Sequence, residues 1–190
     1  MSTLREYLAQ KRGAIRTIRA NRTGDPVQIR PAATVSIEGR SGIRRIRIRD
    51  FQILSDATPA LAGYNLGPGA AELQMGVLGA CLTHLVLIVA ADMEIPLDAV
   101  DVDVWADQDA ESSVPRFDHV PGVPHDIGYT LRIESTASAA EIARVHEAVE
   151  KVCPVLNLLA NPQTITGTLE LNGAAVPTLT ADVPGDPATT

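Results

Sequence analysis

Cysteine and aromatic residues are scarce in this 190-residue sequence: two Cys, one Trp, three Tyr and two Phe. Two cysteines are too few for a disulfide scaffold, so an apolar core has to carry the fold. The composition supplies one, with 45% of residues hydrophobic and 21% charged, and one domain is expected at this length. The first 21 residues are charged and lack the apolar stretch of a secretory signal, which gives a cytoplasmic expectation. Long hydrophobic runs are also lacking, apart from Met75 to Ala91. That run contains Gly76, Gly79, Thr83 and His84 and stops short of the roughly 20 residues of a membrane span, so a buried central helix and no membrane partner are expected.

Charge is plentiful but uneven. Residues 1–50 hold 12 of the 16 basic groups and balance at +8, leaving −15 for the remainder. Such asymmetry marks some nucleic-acid binders. Here the arginines are spread over a helix and a hairpin with almost no aromatics between them. That pattern favours paired, solvated faces, or opposite signs meeting across a dimer interface, over a nucleic-acid surface.

Leu4 to Ala20 places Leu4, Leu8, Ile15 and Ile18 at helical spacing around Gly13, an amphipathic arm within residues 1–30. Alternating stretches at Ala33 to Glu38 and Ile43 to Leu54 flank Gly39-Arg40-Ser41-Gly42 and predict a hairpin. The change of phase between Ile46/Ile48 and Phe51/Ile53 predicts a bulge. After a turn at Asn65 to Ala71 comes the long helix, ending near Met93. Val100 to Ala106 and Ile127 to Glu134 read as strands on either side of a proline-containing loop, Asp109 to Asp126. Ser138-Ala-Ala-Glu141 is a capping box that starts a helix reaching Cys153. A last strand is expected at Gln163 to Leu171, and a flexible tail over residues 173–190. The order predicts an α+β fold with a mainly antiparallel sheet.

The two cysteines sit in helix-like settings, Gly-Ala-Cys81-Leu-Thr-His84 and Val152-Cys153-Pro154. They read either as a redox couple or as two small buried hydrophobes. For peroxide chemistry Cys81 must be a thiolate, which needs a cation or a helix dipole nearby. Arg40, on the glycine-flanked turn, is the arginine placed to be aimed; Arg45, Arg47 and Arg49 read as one wet strand face. Pro154 suits the first position of a new helix, which would put the Cys153 sulfur beside a helix amino terminus. Glu72 either complements the dipole at the start of the long helix or orients an arginine. His84, one turn after Cys81, is read as a core histidine before a catalytic base. Asp118, His119, His125 and Asp126 share a loop with a spacing too irregular for a metal set, and no metal is expected.

Gly67-Pro68-Gly69-Ala70-Ala71-Glu72-Leu73, Gly79-Ala80-Cys81, Glu94-Ile95-Pro96-Leu97 before an acidic strand, and Val152-Cys153-Pro154-Val155 together resemble the OsmC/Ohr family, the osmotically inducible and organic hydroperoxide resistance proteins. The resemblance spans about residues 34 to 171, within a domain drawn at 31–172. It implies an intertwined homodimer with sheets wrapped on a long central helix and active sites at the subunit boundary. It also implies a thiol peroxidase for organic or fatty-acid hydroperoxides, with Cys81 peroxidatic and Cys153 resolving. The same resemblance implies no bound cofactor and recycling by a dihydrolipoyl group, free or on a lipoylated protein. Arg40 inherits the catalytic arginine's place in the Gly-Arg-acid-Gly turn. Ala70 and Ala71 stand where the hydroperoxide-resistance branch has Pro-Glu, and Glu72 comes one residue late, turned by about 100° on a helix. Leu156 replaces a small polar residue. These departures place the chain with divergent OsmC-like members, for which the alternative is a non-catalytic dimer holding a small hydrophobic ligand.

Overall fold

A computed structural model describes residues 3–24, 26–112, 114–115 and 122–176. The first element is α1 (Leu4–Ala20), opened by a capping box in which Thr3 accepts from the Glu6 amide and Glu6 accepts from the Thr3 amide. It runs through Gly13 without a break. Strands β1 (Thr34–Ile37), β2 (Arg44–Ile48) and β3 (Phe51–Ser55) form an antiparallel sheet in sequence order.

The Gly39–Gly42 turn joins β1 to β2, with the Glu38 amide donating to the Ile43 carbonyl at 2.8 Å. The predicted bulge is instead a second tight turn. Ile48 pairs with Phe51, and Arg49 takes the left-handed conformation at φ 54°, so the phase change marks a chain reversal. Arg49 is therefore not part of the arginine face, which keeps Arg45 and Arg47.

Helix α2 (Ala70–Asp92) has 23 residues, longer than the apolar run suggested and enough by length and composition to cross a membrane. It packs against α1, against β4 (Ala99–Asp107), against α3 (Ala139–Val152) and against α4 (Pro154–Ala160). Leu78, Leu82, Val86 and Val89 form its buried side. The expected full burial does not hold within one chain: Val77 is 54% exposed, and His84, expected in the core, is exposed. An apolar helix presents hydrophobic groups all round, and one chain covers only part of it.

β4 pairs antiparallel with β5 (His125–Glu134), with a bulge between Trp105 and Asp107. β6 (Leu169–Leu171) and β7 (Ala174–Val176) form a small hairpin, so residues 163–168 are not strand and the expected flexible tail begins with paired residues. The rest of the expected tail, residues 177–190, lies outside the described residues. The result is a mixed α and β architecture of antiparallel sheets with one long helix, in three sheets rather than one among the described residues.

Acidic and basic halves meet within the chain. Arg5 pairs with Asp98 at 2.6 Å, Arg12 and Arg16 with Glu94 at 3.3 and 2.9 Å, and Arg19 with Asp92 at 2.5 Å. Arg12 Nε also donates to the Ala91 carbonyl at 2.9 Å, filling an acceptor that the end of α2 leaves open. The partner of the amino-terminal arm is thus the carboxyl end of α2 and the turn after it.

Candidate active site

Two helical breaks bring the cysteines together. A residue before proline is pushed out of the helical region. Cys153 accordingly leaves α3 at φ −70°, ψ 108°, and Pro154 begins α4. The Cys153 amide still donates to the Val149 carbonyl at 2.8 Å, and its own carbonyl accepts from the Asn157 amide at 3.0 Å, so this one residue ends α3 and starts α4. Asn157 Nδ2 reinforces the corner by donating to the carbonyls of Glu150 and Cys153 at 3.0 and 2.8 Å.

At the corner the Cys153 thiol, fully buried, points at Cys81 on α2 and donates to its Sγ at 3.3 Å. Both are free thiols, and Cys81 is the more open of the two. Gly79 holds α2 close to β4 just before this point. A Cβ there would lie 3.3 Å from side-chain methyls of both Val102 and Val104.

Pro154 begins α4 with Cys153 as its cap, as expected, and Cys81 also lies under the influence of that helix end. The backbone amide of Val155, in the first turn of α4, favours the Cys81 thiolate. Burial outweighs this and pushes the Cys81 thiol above its ordinary value. No arginine contributes to that balance among the described residues.

Arg40 is exposed at the tip of the β1–β2 turn, in a sheet that has no extensive contact with the helices. Glu72 caps α2, accepting from the Gly69 amide at 2.6 Å, with no arginine bonded to it among the described residues. The chain therefore joins Cys81 with Cys153 and leaves Arg40 and Glu72 apart from them and from each other. The His84 side chain makes no hydrogen bond among the described residues.

Asp118 and His119 lie outside the described residues. His125 and Asp126 open β5, where His125 Nδ1 meets Asp126 Oδ2 at 2.8 Å and the carboxylate raises the imidazole's affinity for its proton. With Asp107 they bring three possible ligand atoms within 4.8 Å of one another, on exposed or half-exposed side chains.

Several contributors were not visible in the sequence pattern. Asp56 is 1% exposed and gathers the amides of Ala57, Tyr64 and Leu66 at 2.8 to 3.1 Å, ordering the chain that leads into α2. In the same segment, a Cβ on Gly67 would run into the Leu54 carbonyl, so the glycine of the Gly-Pro-Gly motif is required by close approach of two backbones. An open groove of about 650 Å³ runs beside the α2–β4 contact, lined by Met75, Gly76, Ala80, Val102, Val104 and Trp105 among others.

Known proteins give the same picture of the fold. An OsmC-like protein of Mycoplasma pneumoniae superposes with a TM-score of 0.59 at 22% identity, over 70% of this chain and 89% of that one. A putative osmotic stress induced and detoxification response protein from Psychrobacter arcticus gives 0.54 at 17%, over 69% and 89%. An organic hydroperoxide resistance protein OsmC from Legionella pneumophila gives 0.51 at 17%, over 70% and 91%. A search of curated protein sequences finds no match. The family model described as OsmC-like protein matches residues 63–167, the stretch that holds α2, β4, β5, both cysteines and the corner between them. On that match, with the structural likeness beside it, the chain belongs to the OsmC-like family.

Proposed function

We propose that the protein is a thiol-dependent peroxidase that reduces organic, including fatty-acid, hydroperoxides through a Cys81/Cys153 dithiol–disulfide cycle. The observation that carries this reading is the 3.3 Å separation of two sulfurs 72 residues apart in sequence. Cys81 attacks the distal peroxide oxygen as thiolate, the O–O bond breaks, and the alkoxide takes a proton and leaves as the alcohol. Cys153 then attacks the sulfenic sulfur, a disulfide forms and water departs. An external dithiol of the dihydrolipoyl type, free or on a lipoylated protein, returns both thiols, with no resident cofactor or metal. The α2–β4 groove, with its methionine, valines and tryptophan, suits an alkyl chain.

Burial opposes ionisation of the half-buried Cys81 thiol, a nearby cation would favour it, and among the described residues of one chain Cys81 has none. We assign that role to Arg40 of a second copy, with Glu72 orienting it, in a cytoplasmic homodimer. Support comes from the β1–β3 sheet, where Val35, Ile37, Ile46, Ile48, Phe51 and Ile53 share one face and five of the six are exposed. An exposed apolar face of this kind calls for a cover, and α2 likewise leaves Val77 uncovered.

One equivalent of an organic hydroperoxide should remove two thiols per chain. Cys153→Ser should stop at a sulfenic acid that dimedone traps, and Cys81→Ser should not react. Thiols that survive peroxide treatment would instead favour the second reading, a non-catalytic dimer that binds a small hydrophobic ligand in the same groove.

A further inference from the structure

Cys81 and Cys153 make a chelating pair whether or not either sulfur ever meets a peroxide. Both are free thiols with sulfurs 3.3 Å apart, and the Cys153 thiol donates to Cys81 Sγ. Backbone holds that spacing. The Cys153 amide donates to the Val149 carbonyl at 2.8 Å, its carbonyl accepts from Asn157 Nδ2 at 2.8 Å, and α2 packs against both helices of the corner.

Sulfur ligands select soft, thiophilic ions. The angle at the ion decides which of them suits a given pair. With bonds of about 2.3 Å, two thiolates on a tetrahedral zinc sit about 3.8 Å apart, and an angle near 90° brings them to about 3.3 Å. Pyramidal trivalent arsenic has bond angles close to a right angle. Zinc also wants two further ligands, and among the described residues neither cysteine belongs to a group of three or more His, Cys, Asp or Glu able to share an ion. A linear ion such as Cu(I) needs the sulfurs wider still. Its bis-thiolate is an anion, costly beside a fully buried sulfur with no arginine acting on its neighbour.

We infer that the Cys81–Cys153 pair is a binding site for trivalent arsenicals that carry two exchangeable hydroxyls, the monosubstituted arsenous compounds. Each thiol displaces one hydroxyl: two S–H and two As–O bonds break, two As–S bonds form, and the protons leave with the hydroxyls as two waters. No electrons change hands. The product is uncharged, so its burial carries no ionic penalty. Cys81, the more open thiol, meets the arsenical first, and Cys153 closes the ring from inside. That second bond is intramolecular, so two preset sulfurs should exceed one in affinity by about 10²–10⁴. The inference rests on the sulfur pair alone and not on the peroxidase reading, although a bound arsenical would occupy both thiols of the proposed cycle.

The test uses the full chain with both thiols reduced and phenylarsine oxide as the probe. Native mass spectrometry should show one arsenic per chain, with a gain of one phenylarsenic group less two hydrogens, which only double displacement gives. Excess dimercaptopropanol should remove it. In calorimetric titrations Cys81→Ser and Cys153→Ser should each bind at least about a hundredfold more weakly than the wild type, and zinc should bind the wild type far more weakly than the arsenical. An unmodified wild type, a product that keeps a hydroxyl on arsenic, a single-cysteine variant as tight as the wild type, or zinc held as tightly as the arsenical would each overturn the site. If the serine variants fail to fold, the wild type decides alone. Phenylarsine oxide must then raise its urea midpoint, because the native pair is preset whereas the unfolded chain must bring together residues 72 positions apart. An unchanged or lowered midpoint would overturn the site as well. A chain that holds the arsenical but keeps its thiols through peroxide treatment sinks the peroxidase reading alone. One that loses two thiols to hydroperoxide and ignores the arsenical sinks this inference alone.

Discussion

Asp56 does more for the site than its distance in sequence from either cysteine suggests. Its carboxylate receives amide donors from three residues of the following loop, and the Asp56 amide itself donates to the Pro68 carbonyl at 3.3 Å. The first residue of α2 is thereby fixed relative to β3. Those amides, led by Leu66, hold the Asp56 carboxyl below its ordinary value of 3.8 despite burial. A carboxyl whose folded-state value is depressed stabilises fully above its unfolded value, and that stabilisation is lost as pH falls through the folded one. Asp56→Asn should therefore lower the urea midpoint at neutral pH and flatten its decline between roughly pH 5 and 3. Parallel declines in the two proteins would remove Asp56 from this role. Nothing in the sequence flags this aspartate, because its value lies in three amides brought to it by a turn. The cysteines were legible because rare residues with characteristic flanks need no register to be noticed.

At the scale of elements, α1 shows how magnitudes sort a crowded contact. Its arginines make four ion pairs, yet each partner is largely exposed, and such pairs contribute only about 0–1 kcal/mol. Leu8, 3% exposed, is the residue the helix commits to the core. Leu8→Ala should cost about 2–5 kcal/mol, while Arg16→Ala should fall within about 0.5 kcal/mol of wild type. Chemical denaturation compares the two directly. A larger loss from Arg16 would mean that the charges, and not the apolar contact, dock the arm.

The sequence shows this helix plainly through its 3.6-residue periodicity, and Thr3 with Glu6 marks its start. It does not show where the helix packs, since amphipathicity names a face and not a neighbour. The same limit explains the misread strand. A two-residue turn with Arg49 at positive φ has no glycine or asparagine to announce it, so in the sequence the phase change has the look of a bulge. Residues 163–168 have a strand-like composition and no strand partner among the described residues, and pairing rather than propensity decides strand formation.

For the whole molecule, the unused surfaces are the most informative feature. One face of the β1–β3 sheet and one side of α2 are apolar and open to solvent, an arrangement that lone globular chains avoid in large contiguous patches. We expect a dimer at micromolar concentration by light scattering, with the β1–β3 sheet of each copy laid on the other. Phe51→Glu, at the β2–β3 turn end of that face and 63% exposed within one chain, should shift the population to monomer and slow peroxide turnover with it. A wild-type monomer that keeps full activity would sink both the assembly and the second-copy role given to Arg40. The α+β class and the antiparallel pairings were readable from periodicity. That neither Arg40 nor Glu72 bonds to Cys81 within the described residues of one chain was not, since a sequence carries no marker of which chain completes a site.

The corner at Cys153 has a thermodynamic consequence for the molecule as a whole. A bond between residues 72 positions apart closes a long loop, and closing it in the unfolded chain removes conformational entropy worth about 4 kcal/mol at room temperature. Oxidation then makes the native state harder to unfold. By the same closed cycle, the native fold makes the bond harder to reduce than it would be in the denatured chain, and by the same free energy. Each turnover would swing the folding equilibrium by about three powers of ten. A protein of marginal stability in its thiol form would thus be most resistant to unfolding and proteolysis during the interval in which oxidant is present.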